Sequence, residues 1–600
     1  VPVSFLSGIT GMLYRQFTVT IVASVLISTV VALTLSPAMC ARLLKPDNGR
    51  KKNIVFRYIN IFLARGNRTY EKMIKKSLTV PKRVFAGLGI IVIGIWLLNY
   101  AVPGSFLPEE DQGYFTVELE LPEGATLQRT REVTDRAIAY LMARPDVEYV
   151  QSVAGSSSRV GTSQSRSELT VILKPWKERK KGKLDKIMDE VRSELSRYPE
   201  AKVVLRTPPV IPGLGTSGGF EMVLEARGEA TLDNLRQASD TLIYYAGRDR
   251  RLNEVSSSLQ PEIPQLYFDV DRDQVKLSGV PLADVFSTMK TFTGSVYVND
   301  FNMFNRIYRV YIQAEGTYRA HKDDINMFYV RGTGGVMIPL TALGTAYYTT
   351  GPGVIKRFNM FNSATITGEA AQGQSSGQAM EVIEEIAREK LPENIGIDWS
   401  GLSYQEKKAG GQTGYILGLV FVFVFLFLAA QYESWSIPIA IMLSLPVAVL
   451  GAYLGVWICG LENNAYFQIG LVMLMGLVAK NAILIVEFAN LEMQRGKGLM
   501  EATLAAARLR LRPILMTSLA FVLGCIPLML SSGSGALARN AIGTVVVIGM
   551  GVATLVGAFL IPCSYVFIMR LFRIKFSLND LKEDPDEVGA RKYLAAHTKD

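Results

Sequence analysis

The apolar residues of this 600-residue chain are segregated into long runs. Stretches able to span a bilayer lie near 17–39, 84–102, 413–431, 436–459, 465–490, 512–531 and 540–570, so the sequence predicts about seven transmembrane helices. Between the second and third runs lie roughly 310 residues without any such stretch, which is room for two or three domains. With 49% hydrophobic and 20% charged residues, the chain fits neither a bare helix bundle nor an ordinary soluble domain.

Basic residues orient the bundle. The segment after the first run carries thirteen of them between Arg42 and Arg83, and the loop between the fifth and sixth runs carries Arg495, Lys497, Arg508, Arg510 and Arg512. Both are therefore expected on the cytoplasmic side. The turns 460–464 and 531–540 hold only Arg539, so they and, by parity, the 310-residue stretch face the other side. The net charge of +10 thus has a topological cause, and no nucleic-acid partner is inferred from it. Ile54, Phe56, Tyr58, Ile59, Ile61, Phe62 and Leu63 interleave with Arg57 and Arg65, a pattern for a helix lying in the inner headgroup layer. Cys40, Cys459, Cys525 and Cys563 lie in or beside spans, so no disulfide framework is needed. The chain opens on Val1 within VPVSFL, without an initiator Met or a basic signal-peptide region, and reads as a fragment whose N-terminal part lies outside it.

The exported stretch repeats a strand and helix pattern. Strand 114–121, helix 126–143, strand 148–154, strand 169–173, helix 184–198 and strand 202–206 make a βαββαβ plan, the split ferredoxin-like unit. A second copy begins with 220–226, 232–248 and 254–258, and resumes at 364–369, 377–391 and 396–400. Between its halves, about 262–350 is an insertion with strands at 265–270 and 306–313, placed like a contact arm.

Lys480 stands inside FQIGLVMLMGLVAKNAILIVEFA (467–489), at least two helical turns from either end of the run. That depth is uncomfortable for a snorkelling lysine, and a charge there marks an ion or proton pathway by default. Such an ammonium needs a carboxylate, but the acidic residue of its own span, Glu487, is two turns away near the membrane edge.

The runs LYRQFTVTI, LTLSPAMCARLLKP, SFLPEEDQG (105–113), YVNDF (297–301), YESWSIP (432–438), GLVAKNAILIVEFA (476–489) and GKGLMEATLAAARLRLRPILMTSLAF (496–521) together resemble the hydrophobe and amphiphile efflux branch of the resistance-nodulation-division superfamily. The resemblance covers the C-terminal half or slightly more of such a protein. It implies a membrane α-helical bundle carrying periplasmic α+β ferredoxin-like porter subdomains with an inserted docking domain. It also implies proton-driven export of amphiphilic small molecules across a Gram-negative envelope. The protein would sit in the inner membrane among lipids, as a homotrimer joined to a periplasmic adaptor and an outer-membrane channel, with no cofactor. Residues 1–103 would be membrane helices with the interfacial helix, 104–214 a porter subdomain, 215–261 and 351–402 the two parts of a second, 262–350 the docking insertion, 403–572 five membrane helices and 573–600 a cytoplasmic tail.

By the same resemblance Lys480 is a proton-relay lysine, with Arg510 and Thr517 at the basic and hydroxyl positions of the next helix and paired aspartates on a span outside this chain. Protonation of such an aspartate would cancel its attraction to Lys480 and shift the bundle. Arg510 also reads as an ordinary cytoplasmic basic flank, and Thr517 as a threonine bonding its own helix carbonyl. Asn299, Asp300 and Phe301 fall in the docking insertion. Where many drug exporters carry phenylalanines, this chain reads GSSSRVGTSQSRS (155–167). The expectation is a flexible, solvated substrate gate in which Arg159 and Arg166 pair with anionic heads, unless Phe220 or residues outside the chain supply an aromatic wall.

An enzyme is not indicated: His321 and His597 are far apart, and neither GxxxxGK nor HExxH occurs. A heavy-metal exporter is the nearest alternative, on Met303, Met327 and Met337, although Met is more often a packing residue. A non-transporting sensor or assembly subunit of the same fold would need no membrane lysine.

Overall fold

The computed structural model describes residues 8–43, 54–79, 81–179, 184–215, 218–259, 262–371, 373–410 and 413–572. The tail 573–600 lies outside the described residues, as do the side chains of 54–64 on which the interfacial-helix expectation rests.

The chain enters through helices α1 (Gly8–Leu33), α2 (Leu35–Leu43), α3 (Ile54–Thr79) and α4 (Pro81–Ala101). A four-stranded sheet follows, built from β1 (Tyr114–Glu120), β2 (Val147–Ser157), β3 (Gly161–Leu173) and β4 (Lys202–Arg206). Their spatial order is β2-β3-β1-β4, antiparallel throughout. Helices α5 (Leu127–Met142) and α6 (Leu184–Leu195) cover one face. The sequence dictates this locally. Thr126 caps α5 by accepting from the Arg129 amide, and Leu184, Ile187, Met188, Val191 and Leu195 form one buried stripe on α6. Phe115, Val117 and Leu119 of β1 point into the same core.

The second unit repeats the topology. It comprises β5 (Phe220–Ala226), α7 (Leu232–Ala246) and β6 (Leu252–Ser257) before the insertion, and β14 (Phe361–Ala370), α10 (Ser376–Lys390) and β15 (Ile395–Trp399) after it. β14 lies between β6 and β5, and β15 flanks β5 on its other side. Capping boxes at Thr231/Asn234 and Ser375/Gln378 start the two helices.

The insertion leaves on β7 (Glu262–Val270) and returns on β12 (Gly344–Pro352), which pair antiparallel along their full length. Beyond this ribbon, α8 (Arg272–Leu277), α9 (Leu282–Met289), β10 (Tyr329–Arg331) and β11 (Met337–Pro339) surround a small core that includes Val275, Val285, Leu340 and Leu343. The hairpin of β8 (Val296–Met303) and β9 (Arg306–Ile312) projects from it with almost every side chain exposed. The short β13 (Lys356–Phe358) rejoins β14.

Helix α11 (Gly401–Gly410) then leads back to the bundle of α12 (Thr413–Tyr432), α13 (Ile437–Met442), α14 (Leu445–Cys459), α15 (Ala465–Gln494), α16 (Leu499–Met529) and α17 (Ala536–Leu571). Among the described residues five helical stretches are long and apolar enough to cross a membrane: Gly11–Leu43, Ile437–Cys459, Ala465–Gln494, Leu499–Met529 and Ala536–Leu571. Two further apolar helices, Phe85–Ala101 and Leu417–Tyr432, are shorter, so the expected seven spans divide into five of full length and two abbreviated ones. α17 is central and packs against α13, α14, α15 and α16. Small residues allow this close approach: a Cβ on Gly543 would meet the Met529 backbone nitrogen at 2.4 Å, and one on Gly451 would meet Val552 at 2.8 Å.

Candidate functional site

Asn464 starts α15 by accepting from the Phe467 amide, and the helix then runs thirty residues without a break. Lys480, at its middle, lines an apolar cleft of about 760 Å³ between α1 and α15, together with Tyr14, Phe17, Thr18 and Gly476. Among the described residues no carboxylate lies within ion-pair distance of it, and Glu487 is no exception. One residue along a helix turns the side chain by about 100°. Asn481 accordingly faces α16 instead, where its amide donates to Ser518 Oγ at 3.2 Å, both side chains being buried.

The other two relay positions stand apart from Lys480. Arg510 lays its guanidinium over the Phe488 ring, 3.5 Å from the centroid, and its Nε is buried without a hydrogen-bond partner. Thr517 is exposed and donates to the Ile514 carbonyl of its own helix at 3.1 Å. No hydrogen bond or ion pair joins Lys480, Arg510 and Thr517 among the described residues. The bond between α15 and α16 is made by their sequence neighbours, Asn481 and Ser518.

The expected solvated gate is overturned. Residues 155–157 and 161–167 belong to the ends of β2 and β3, which continue their ladder to Ser157 opposite Gly161, and 158–160, with Arg159, form the turn that joins them. Arg159 is only 4% exposed and Arg166 7%. Arg166 contacts Glu118 at 3.2 Å, Glu120 at 2.7 Å and Glu123 at 3.6 Å; Arg159 contacts Glu118 at 3.4 Å and also Glu120. Arg206 joins Glu118 at 2.9 Å. Burial pushes the Glu118 carboxyl up, but Arg159, Arg206, the Ser157 hydroxyl and Arg166 outweigh it and hold the group at about 2. The arginines are thus occupied by carboxylates and are not free for an anionic head. Phe220 is equally unavailable: it is 1% exposed in the core of the second unit, packed on Gly368.

The same cluster joins the two units. Arg159 donates to the Ser257 carbonyl, Arg206 to Ser256 Oγ at 3.3 Å, and Lys356 Nζ to the Arg159 carbonyl at 2.6 Å. Nearby, Arg192 meets Glu254 at 2.7 Å. Below this seam opens a polar cleft of about 470 Å³ between the units and the outer ends of the membrane helices, with Glu109, Asp185, Asp189, Glu369 and Glu462 on its walls. Burial, with Glu109 and Glu254 nearby, pushes Glu369 up to about 8. Glu109 and Glu462 are also raised, chiefly by burial.

Asn299, Asp300 and Phe301 lie on the projecting hairpin, exposed, with Phe301 stacked on Tyr308 at 5.4 Å between centroids. The sequence reading missed Glu118, Glu120 and Arg206, the Asn481–Ser518 pair and the cleft carboxylates. Each sits at a polar position of a regular element or, like Glu109 and Glu462, in a connecting segment, and only contact between distant segments distinguishes it from a solvated residue.

Comparison with known proteins agrees with this architecture. The AcrB/AcrD/AcrF family profile matches residues 1–569. Similar proteins include the multidrug export protein AcrF of Escherichia coli (strain K12), 40% identical over 582 residues, which cover 96% of this chain and 56% of that protein. The multidrug resistance protein MdtF of the same strain is 40% identical, covering 95% of this chain and 56% of its own length. The multidrug/solvent efflux pump membrane transporter MepB of Pseudomonas putida is 37% identical, covering 96% and 55%. The chain spans a little more than half the length of these curated relatives.

Proposed function

Because the chain belongs to the AcrB/AcrD/AcrF family, we propose that it forms part of a proton-driven inner-membrane pump that exports amphiphilic compounds. The observation that carries this reading is Lys480: an ammonium at mid-helix, on a cleft, with no counterion among the described residues. An unpaired charge at that depth is costly, and a carboxylate that pairs with it only when ionised converts proton binding into helix movement. The Asn481–Ser518 bond keeps α15 and α16 in register while Lys480 changes partner. Arg510, held on Phe488 with its Nε unsatisfied, and Thr517 are the second-helix members of this relay. Amphiphiles cross the periplasmic layer between the two α/β units, whose movement opens and closes the cleft. The exposed hairpin with Asn299, Asp300 and Phe301 belongs to the surface that meets neighbouring subunits of a homotrimer, an adaptor and an outer-membrane channel.

The test is efflux in cells expressing the gene in its native context. Lys480→Ala should abolish proton-dependent export while membrane insertion persists, since losing the charge disables a relay without emptying a packed core. Export at the parental rate by that variant refutes the reading.

A further inference from the structure

Where the second α/β unit returns to the membrane, four segments are hydrogen-bonded together around one carboxylate. Glu406 lies on α11, the helix that leads from β15 to α12. Its two oxygens both accept from Ser376 Oγ, at 3.0 Å each. Ser376 opens α10, and the capping residue before it, Ser375, donates to the Gly104 carbonyl at 2.8 Å. Gly377 is needed for this approach, because a Cβ there would lie 2.6 Å from the Gly104 carbonyl oxygen and 3.3 Å from Glu406. The 103–106 segment, just past α4, is in turn hydrogen-bonded to the start of α15. The Asn463 amide donates to Pro103 at 2.9 Å, the Ala465 amide to Phe106 at 3.0 Å, and Ser105 Oγ to Glu462 at 2.6 Å.

Charges around Glu406 are of one sign. Glu462 from the 460–464 turn and Glu109 from the 103–109 segment are the ionisable groups that act on it, alongside the Ser376 hydroxyl of α10 and the Phe106 amide. The cations of its own helix are turned away: Lys407 pairs with Glu384 and lies over Trp399, and Lys408 lies over Tyr404. Two cavities flank these segments. The 470 Å³ cleft reaches Ser376 and Glu462, while a second of about 330 Å³ is lined by Asn99, Ser105, Glu406, Asn463 and Gln468. Gln468 accepts from Tyr14 at 3.0 Å, and Tyr14 also lines the Lys480 cleft.

We propose that Glu406 is a positioning residue for transport, a proton-dependent clasp that holds α10 of the second α/β unit against the helix leading into the membrane. The proposal rests on the transport reading for its purpose but not for its chemistry. A buried carboxyl facing Glu462 and Glu109 is best accommodated neutral, and once ionised it gains by moving into water. Burial, with Glu462 and Glu109 adding to it, outweighs the hydrogen bonds from Ser376 and the Phe106 amide, which favour the ionised form, and pushes the group up to about 7 from its ordinary range. The closed clasp therefore binds a proton more tightly than an open, hydrated one, so acid closes it and base opens it. Relative to a solvated carboxyl, the closed-to-open ratio should fall by on the order of a hundredfold between pH 5 and 8.

The experiment is hydrogen exchange on the purified chain at pH 6 and 8, corrected for intrinsic exchange and read on the peptide covering 376–390. Protection in the parent should fall about tenfold or more on going to pH 8. Glu406→Gln, a neutral mimic, should keep it high at both pH values, and Glu406→Asp should restore the dependence. Glu369, which accepts from the Thr207 amide and hydroxyl, serves as an internal control, because the peptide covering Thr207 should keep its own pH response in Glu406→Gln. A parent peptide indifferent to pH, or a Glu406→Gln protein as responsive as the parent, overturns the proposal. In cells, Glu406→Gln should flatten the pH profile of export between 6 and 8, and an unchanged profile also overturns it. Failure of the transport reading itself is separately visible, as undiminished export by Lys480→Ala.

Discussion

Glu118→Gln removes a carboxylate that Arg159, Arg166 and Arg206 share at 3.4, 3.2 and 2.9 Å, while keeping the shape of the side chain. The magnitude follows from the group's own titration. Held at about 2 against an ordinary 4.5, the ionised form contributes about 3 kcal/mol to folding at neutral pH. That agrees with the roughly 3–5 kcal/mol lost when one member of a buried ion cluster is deleted, since the guanidinium groups left behind repel one another. Because the folded value lies below the unfolded one, this stability is present above about pH 4.5 and is lost as pH falls toward 2. Hydrogen exchange of the β1 peptide 114–120, followed at pH 7 in the solubilised chain, should accelerate about a hundredfold if local opening governs it. Combining Glu118→Gln with Arg206→Met should recover part of the loss, because one of the unpaired charges is then gone. A change of under about 1 kcal/mol would show that the arginines are relieved by water, as in an exposed ion pair, and would refute the buried-cluster account.

Gly543→Ala should weaken the contact of α17 with α16 by about 1–3 kcal/mol, seen as a lower unfolding temperature in detergent, whereas Gly524→Ala, with open space around it, should have little effect. Glu369→Gln should abolish a loss of stability that the parent shows as pH rises from about 4.5 through about 8; the folded group binds its proton more tightly than the unfolded one, so stability is full at the acid end. Paired Phe301→Ala and Tyr308→Ala changes on the exposed hairpin should leave the unfolding midpoint nearly unchanged while reducing oligomer yield after gentle extraction.

The fold class was legible because its signals are local. An apolar run of about twenty residues has few ways to satisfy its backbone, and the alternation of Tyr114–Glu120 or the stripe from Leu184 to Leu195 announces a strand or helix without reference to the rest of the chain. The depth of Lys480 was legible for the same reason. The character of 155–167 was not. Glycine and serine predict a loose loop, yet pairing with an already formed strand supplies the backbone bonds that the side chains do not. Glu118 gives the clearest case. It occupies the polar phase of β1, which in an isolated sheet would face water, and strand alternation cannot tell a solvent face from one covered by a second domain. The seam made by Ser256, Ser257 and Lys356, all far from β1 in sequence, buries that face and turns ordinary surface charges into a clasp. Glu406 follows the same rule: its pairing with Ser376, and its exposure to Glu109 and Glu462, exist only once three distant segments meet at the membrane surface. Periodicity fixes which way a side chain points within its element; what it points at depends on desolvation by other elements, and that is a property of the assembled structure.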